Sequence, residues 1–245
     1  MSVTPRIEVH PDAAALATAV AGELLSRLAD VQSAGGVPQV ALTGGTIADK
    51  IHREIARLGI DSGVDWSRID FFWGDERYVA PDSDDRNAKL ARAEMLDVLP
   101  VDPARVHEIP STADAEDVDA AATAYAETVR SFGGGRFDLL MLGVGPDGHI
   151  ASLFPNFPQL TIDDAIAAGV TGSPKPPPER VTLTYPALGR SEEVWFVVSG
   201  SEKAEAVGRA LSPQPPEVHD LPAVGVRGQV ATIWFLDRES ASQVP

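Results

Sequence analysis

Asp147 and His149 stand two residues apart in the loop Gly143-Val144-Gly145-Pro146-Asp147-Gly148-His149, at the end of an apolar run. A neutral imidazole can take a proton from water near neutral pH, and a neighbouring carboxylate can orient it or the ligand. That pair suits hydrolysis or proton transfer. His149 follows a two-glycine loop and is expected to open a short helix. His10, His52, His107 and His219 lie in contexts that suggest surface or structural roles. A metal is the competing use of such a histidine. The chain has no cysteine and no His-x-x-x-His spacing, so neither metal nor cofactor is expected.

Other segments add binding chemistry. In Leu42-Thr43-Gly44-Gly45-Thr46 the glycines allow close backbone approach, and a helix start offers free N–H groups to an anion. The loop is neither a Walker motif nor G-x-G-x-x-G, so a nucleotide is not implied. An ordinary turn with Thr46 as helix cap is the structural alternative. Trp73-Gly74-Asp75-Glu76-Arg77 puts three charges after a strand-like run; Arg77 either pairs with Asp75 or faces a ligand. In the acidic stretch that follows, Asn87 is the residue expected to turn inward or cap the next helix. Arg180 opens Arg180-Val181-Thr182-Leu183-Thr184. Lys203 sits in a first helical turn, where the dipole disfavours a cation unless an anion is bound; a plain surface lysine is the alternative.

The elements that must position these residues alternate in type. Residues 7–9 read as a strand, and Asp12 caps a helix carrying Leu16, Val20, Leu24, Leu28 and Val31. Residues 39–43 read as a strand, followed by a helix with Ile47, Ile51, Ile55 and Leu58. Further strands are predicted at 68–73, 105–109, 137–144, 180–185, 194–199 and 230–236, and helices at 88–99, around Val118–Val129, and at 201–211. Residues 173–178 form a proline-dense surface loop. Strands apolar on both faces, alternating with helices, predict a three-layer α/β/α fold. Its Rossmann-like, mostly parallel sheet carries helices on both faces, in one α/β domain over residues 1–245. In such folds ligands bind outside the carboxyl ends of the strands.

Bulk composition narrows the partners. The chain has 36 acidic and 20 basic residues, a formal charge of −16, which repels nucleic acid and anionic membranes alike. An anionic metabolite would need a local cluster of N–H groups, Arg and Lys. The absence of cysteine excludes disulfides and thiol nucleophiles. Residues 1–10 lack a secretion-signal pattern, and no run approaches the roughly 18 apolar residues of a membrane span. A soluble, cytoplasmic, monomeric protein is expected.

Together the motifs resemble one family. Leu42-Thr-Gly-Gly-Thr46, Gly74-Asp-Glu-Arg77, Gly143-Val-Gly-Pro-Asp-Gly-His-Ile-Ala-Ser-Leu-Phe-Pro155, Arg180-Val-Thr-Leu-Thr184 and Gly200-Ser-Glu-Lys203 are similar in order and spacing to the 6-phosphogluconolactonases, from about Val3 to Asp237. Two segments depart from the family pattern. Thr43-Gly-Gly-Thr-Ile-Ala48 replaces Ser-Gly-Gly-Ser-Thr-Pro, and Arg86 replaces the Ser before Asn87. The resemblance implies hydrolysis of the sugar-phosphate lactone 6-phospho-D-glucono-1,5-lactone to 6-phosphogluconate, the second step of the oxidative pentose phosphate route.

The residues support a route without a covalent intermediate. His149 would take a proton from the attacking water, and Arg77, with backbone N–H groups, would stabilise the oxyanion. Asp75 and Asp147 would hold Arg77, His149 or sugar hydroxyls. Gly44, Gly45, Thr46, Arg180 and Lys203 would bind the phosphate, with Thr43 and Asn87 in the same binding set. Isomerases and deaminases of the glucosamine-6-phosphate type share the Asp-Gly-His loop but normally carry Phe-Asn-Glu-Pro shortly after it. Here Leu153-Phe154-Pro155-Asn156 offers no carboxylate. A non-enzymatic sugar-phosphate sensor is the other alternative; a DNA-binding segment normally precedes such domains.

Overall fold

All four residues of Leu139–Leu142 are buried, as are all four of Asp70–Trp73. Successive strand side chains point to opposite faces, so their complete burial requires cover on both sides. The computed structural model, which describes residues 4–245, provides that cover. Met1, Ser2 and Val3, part of the stretch read for a secretion signal, and Val3 also the start of the family resemblance, lie outside the described residues.

The elements are β1 (Arg6–His10), α1 (Ala13–Ser33), β2 (Gln39–Leu42), α2 (Thr46–Gly59), β3 (Asp70–Trp73), β4 (Asp75–Arg77), α3 (Asn87–Ala91), α4 (Val118–Gly133), β5 (Leu139–Leu142), β6 (Ala167–Val170), β7 (Arg180–Leu183), α5 (Tyr185–Leu188), β8 (Glu193–Val198), α6 (Ala204–Ala210) and β9 (Ala231–Asp237). Six strands form a wholly parallel sheet in the order β1-β9-β8-β5-β2-β3. With its helices this is the three-layer α/β/α architecture. Asp12 caps α1 by accepting the N–H groups of Ala14 and Ala15 at 2.9 Å. The buried stripe Leu16, Val20, Leu24 and Leu28 of α1 lies in one core with Ile51 and Ile55 of α2. The Tyr125 hydroxyl of α4 accepts the Trp73 N–H and donates to the Trp73 carbonyl, both at 2.8 Å, which pins the end of β3.

Several segments depart from expectation. Residues 75–77 and 180–183 leave the parallel sheet and, with β6, build a second, antiparallel sheet in the order β4-β7-β6. The strand expected at 105–109 is one bridge, Val106 to Phe71, after a 3-10 turn at Pro103–Arg105. Asp102 caps that turn and Pro103 lacks an N–H to pair, so no ladder extends. The strand expected from residue 68 starts at Asp70, because Asp65 caps a 3-10 turn at Trp66–Arg68. The helix expected over 88–99 continues past α3 as a π turn, Arg92–Leu96.

Strand order determines where a site can form. β2 lies between β3 and β5, so the chain reverses direction across the sheet at β2. Ligand crevices open at such switch points, beyond the carboxyl ends of the strands.

His52 is buried on α2, and that burial pushes its imidazole down to about 4 from 6.5, with Glu94 opposing and Arg53 assisting. Between those values the unfolded chain binds the extra proton. The stability held by the neutral ring is therefore complete above about pH 6.5 and is lost as pH falls toward 4. The shift corresponds to roughly 3 kcal/mol at most. Denaturant midpoints of His52→Leu, followed from about pH 7 to about pH 4, should show a flatter acid loss than wild type; parallel slopes would assign the loss to another group.

Candidate active site

Loops following β2, β3, β5 and β8 meet over the carboxyl edge of the parallel sheet and enclose a cleft of about 530 Å³. Thr43, Gly44, Gly45, Thr46, Asp75, Arg77, Asn87, His149, Arg180 and Lys203 all line it. Asp147 reaches it through His149. Five Lys or Arg side chains, Lys50, Arg77, Lys175, Arg180 and Lys203, face two carboxylates, Asp75 and Glu202. The cleft thus reverses the sign of a chain whose net charge is −16, and suits an anionic ligand.

His149 Nδ1 is hydrogen-bonded to Asp147 Oδ1, and the His149 backbone N–H reaches the same oxygen at 3.4 Å. The imidazole packs on Phe154 with ring centroids 4.7 Å apart. Burial alone would raise the Asp147 carboxyl; the hydrogen bond and charge of His149, with backbone N–H groups, outweigh it and hold the acid at about 2. Asp147 is therefore ionised at neutral pH. Gly145 permits this packing, since a Cβ there would lie 2.0 Å from the imidazole and 2.5 Å from Asp147 Oδ1.

No helix follows His149. The Gly145 N–H donates to the His149 carbonyl at 2.8 Å, Ile150 bridges Leu153, and Ala151 takes a left-handed φ of 47°. The turn is instead held by the second sheet. Ser152 Oγ donates to Asp75 Oδ2 at 2.6 Å, and the Ser152 N–H to Thr182 Oγ1 at 3.2 Å. Asp75 is thus engaged with Ser152 and not with Arg77.

Arg77 Nη1 donates to the Asp85 carbonyl at 2.8 Å and to Asn87 Oδ1. Its Nε is buried with no hydrogen-bond partner in the protein. Asn87 turns inward, and its Nδ2 donates to the Asp75 carbonyl at 3.1 Å. Only a glycine at residue 44 allows this, because a Cβ there would lie 1.9 Å from Asn87 Oδ1. Thr43 Oγ1 accepts the Gly143 N–H at 3.2 Å and joins two loops. Gly45, not Thr46, is the cap residue of α2, and it supplies no side-chain bond to the first turn. Lys203 Nζ lies 3.8 Å from Glu202.

Several contributors escape a reading by residue type. Glu76, fully buried, accepts the N–H groups of Arg77, Asn87 and Ala88, each at 2.8 Å. Burial raises its carboxyl, while the charge of Arg86 and those N–H groups oppose the rise. Arg86 is itself buried and donates to the Ile109 carbonyl at 2.6 Å. Ser152 and Glu76 sat inside motifs already singled out; Lys175 sat in the proline loop, where nothing marked it. Among the described residues no group of three or more His, Asp or Glu side chains is arranged to hold a metal ion. None of their helices is long and apolar enough to cross a membrane.

A cleft at the carboxyl edge of a parallel sheet, where a His–Asp pair meets five cations, defines a Rossmann-like α/β enzyme with an anion-collecting site. Residues 11–234 match the family model described as glucosamine-6-phosphate isomerases/6-phosphogluconolactonase. The chain is 41% identical to the 6-phosphogluconolactonase of Streptomyces coelicolor, with 100% of this chain and 97% of that one covered. It is 40% identical to the 6-phosphogluconolactonase of Mycobacterium leprae, with 98% of each covered. The crystal structure of 6-phosphogluconolactonase from Thermotoga maritima superimposes with a TM-score of 0.83 at 29% identity, over 96% of this chain and 100% of that one. The chain belongs to the glucosamine-6-phosphate isomerase/6-phosphogluconolactonase family.

Glu76→Gln would set an amide against one of the three N–H donors and remove one of the two carboxylates near buried Arg86, leaving Glu108 at 3.7 Å. It should cost about 2–4 kcal/mol, the range for a buried charged hydrogen-bond network that loses one member. Chemical denaturation measures this; an unchanged midpoint would remove Glu76 as the organiser of this wall.

Proposed function

We propose that the cleft hydrolyses 6-phospho-D-glucono-1,5-lactone to 6-phosphogluconate, with His149 as general base. The Asp147-bound imidazole opening onto a cation-lined cleft carries this reading. A ring bonded to a carboxylate through Nδ1 keeps its proton there, which leaves Nε2 to accept one from water. The water oxygen bonds to the lactone carbonyl carbon as His149 takes the proton. Arg77, whose Nε has no protein partner, stabilises the oxyanion. The tetrahedral intermediate then collapses, the bond to the ring oxygen breaks, and the imidazolium returns its proton to that oxygen.

Binding is divided along the cleft. Backbone N–H groups of Gly44, Gly45 and Thr46 and the ammonium of Lys203 take the phosphate, with Arg180 in the same wall. Thr43 and Asn87 set the shape of that wall through Gly143 and Arg77. Asp75 acts by holding Ser152 and so the turn that carries His149. Of residues 150–156 only Ala151 lines the cleft, so no carboxylate follows His149 into it to assist an isomerase or deaminase. The reading takes the protein to work as a cytoplasmic monomer. Its net charge of −16 disfavours nucleic acid and anionic membranes.

His149→Gln should lower kcat by about 10²–10⁴-fold, the usual size of general-base catalysis, with the fold intact by circular dichroism. The lactone also hydrolyses spontaneously, so that rate is subtracted. Near-normal turnover would end the assignment.

A further inference from the structure

A segment that lies outside the cleft holds the back of the loop that carries His149. Residues 212–225 include Pro213, Pro215, Pro216 and Pro222, which have no N–H, so the stretch cannot build a continuous ladder of its own; it ends in a 3-10 turn, Pro222–Gly225. It bonds instead to both flanks of the turn around His149. The Ala223 N–H donates to the Gly148 carbonyl at 3.0 Å, and the Asn156 N–H donates to the His219 carbonyl at 3.0 Å. Leu221 is buried and fills the space over Gly148, whose φ is +81° and where a Cβ would lie 2.2 Å from Leu221 Cδ1. Tyr185, just beyond β7, seats the 3-10 turn. Its hydroxyl donates to the Pro222 carbonyl at 2.9 Å, and its ring sits so close to Gly225 that a Cβ there would lie 2.8 Å from Cε1. Burial pushes the Tyr185 phenol up, so the hydroxyl keeps its proton and donates. None of Tyr185, Leu221, Pro222 and Ala223 lines the cleft.

We propose that Tyr185 is a positioning residue for His149, acting through the turn at Pro222 and Ala223 on the peptide that joins Gly148 to His149. This rests on the lactonase reading. A trans peptide is planar, and its carbonyl and N–H point to opposite sides. Ala223 holds the Gly148 carbonyl from behind the loop, and the same peptide then turns the His149 N–H toward Asp147 Oδ1, 3.4 Å away. The Gly148 N–H is tied in turn to the Gly145 carbonyl at 2.9 Å, so both peptides of this left-handed residue are fixed. The orientation of the second peptide sets whether the imidazole meets the carboxylate that fixes its tautomer. A misplaced general base lowers rate and not affinity, because it touches the attacking water and not the parts of the substrate that bind.

The test is a double-mutant cycle on the intact protein, with kcat and KM for 6-phospho-D-glucono-1,5-lactone corrected for spontaneous hydrolysis. Tyr185→Phe removes one hydroxyl and keeps the ring. It should lower kcat by about three- to tenfold, the range set by one neutral hydrogen bond, with KM constant within about twofold. In an Asp147→Ala background the same change should cost less than about twofold, because His149 then has no carboxylate to be aligned with. An unchanged kcat, or a loss carried by KM, overturns the proposal. So does an equal loss in both backgrounds, which is what a general loosening of the fold would give. Amide hydrogen exchange supplies a readout without substrate. The Ala223 N–H should exchange about three- to tenfold faster in Tyr185→Phe, and an unchanged rate overturns the link from Tyr185 to the loop. Wild-type protein without turnover would instead sink the lactonase reading, with the exchange rates still deciding that link.

Discussion

Glu76 accepts three backbone N–H groups while fully buried, and by doing so it joins β4 to the first turn of α3. That junction sets the backbone of both Arg77 and Asn87. Their side chains then meet, and Asn87 comes so close to Gly44 that no other residue fits there. One carboxylate thus fixes Arg77 and, through Asn87, the glycine loop on the neighbouring strand. Arg86, which departs from the family pattern, lies buried nearby and supplies countercharge to Glu76. Its large cation is met by the Ile109 carbonyl and by Glu108, 3.7 Å away.

The two sheets divide the work. The parallel sheet delivers four loops to one edge, because β8, β5, β2 and β3 are consecutive neighbours. The antiparallel sheet stabilises what those loops carry. Asp75 on β4 and Thr182 on β7 both bond Ser152, and so hold the turn that leaves His149. Arg180 begins β7 and holds the proline loop. Position in the fold therefore decides which charged residues are tied to backbone and turn and which are left facing the cleft.

Much of this was legible in the sequence. The helical stripe of α1, its Asp12 cap and the all-apolar strands follow from local periodicity, and local periodicity gives the parallel sheet. The second sheet does not show in this way. β4 has three residues and pairs with β7 about a hundred positions later, so no local pattern announces it. Residues 105–109 carry strand-like composition, but a capped turn limits them to one bridge. Asp147, His149, Arg77 and Lys203 were visible as chemistry because their types are reactive or charged at strand ends. Glu76 and Arg180 needed geometry: whether a charged group faces ligand or backbone depends on partners distant in sequence. Lys175 was hidden for the opposite reason, since prolines around it read as an ordinary surface loop.

The central claim is that the imidazole of His149 removes a proton from water in the rate-determining chemistry. The pH dependence of kcat/KM for wild type beside His149→Gln tests it most directly. Wild type should lose activity on the acid side, and the residual activity of His149→Gln should lack that limb. The same acid limb in both proteins would contradict the account.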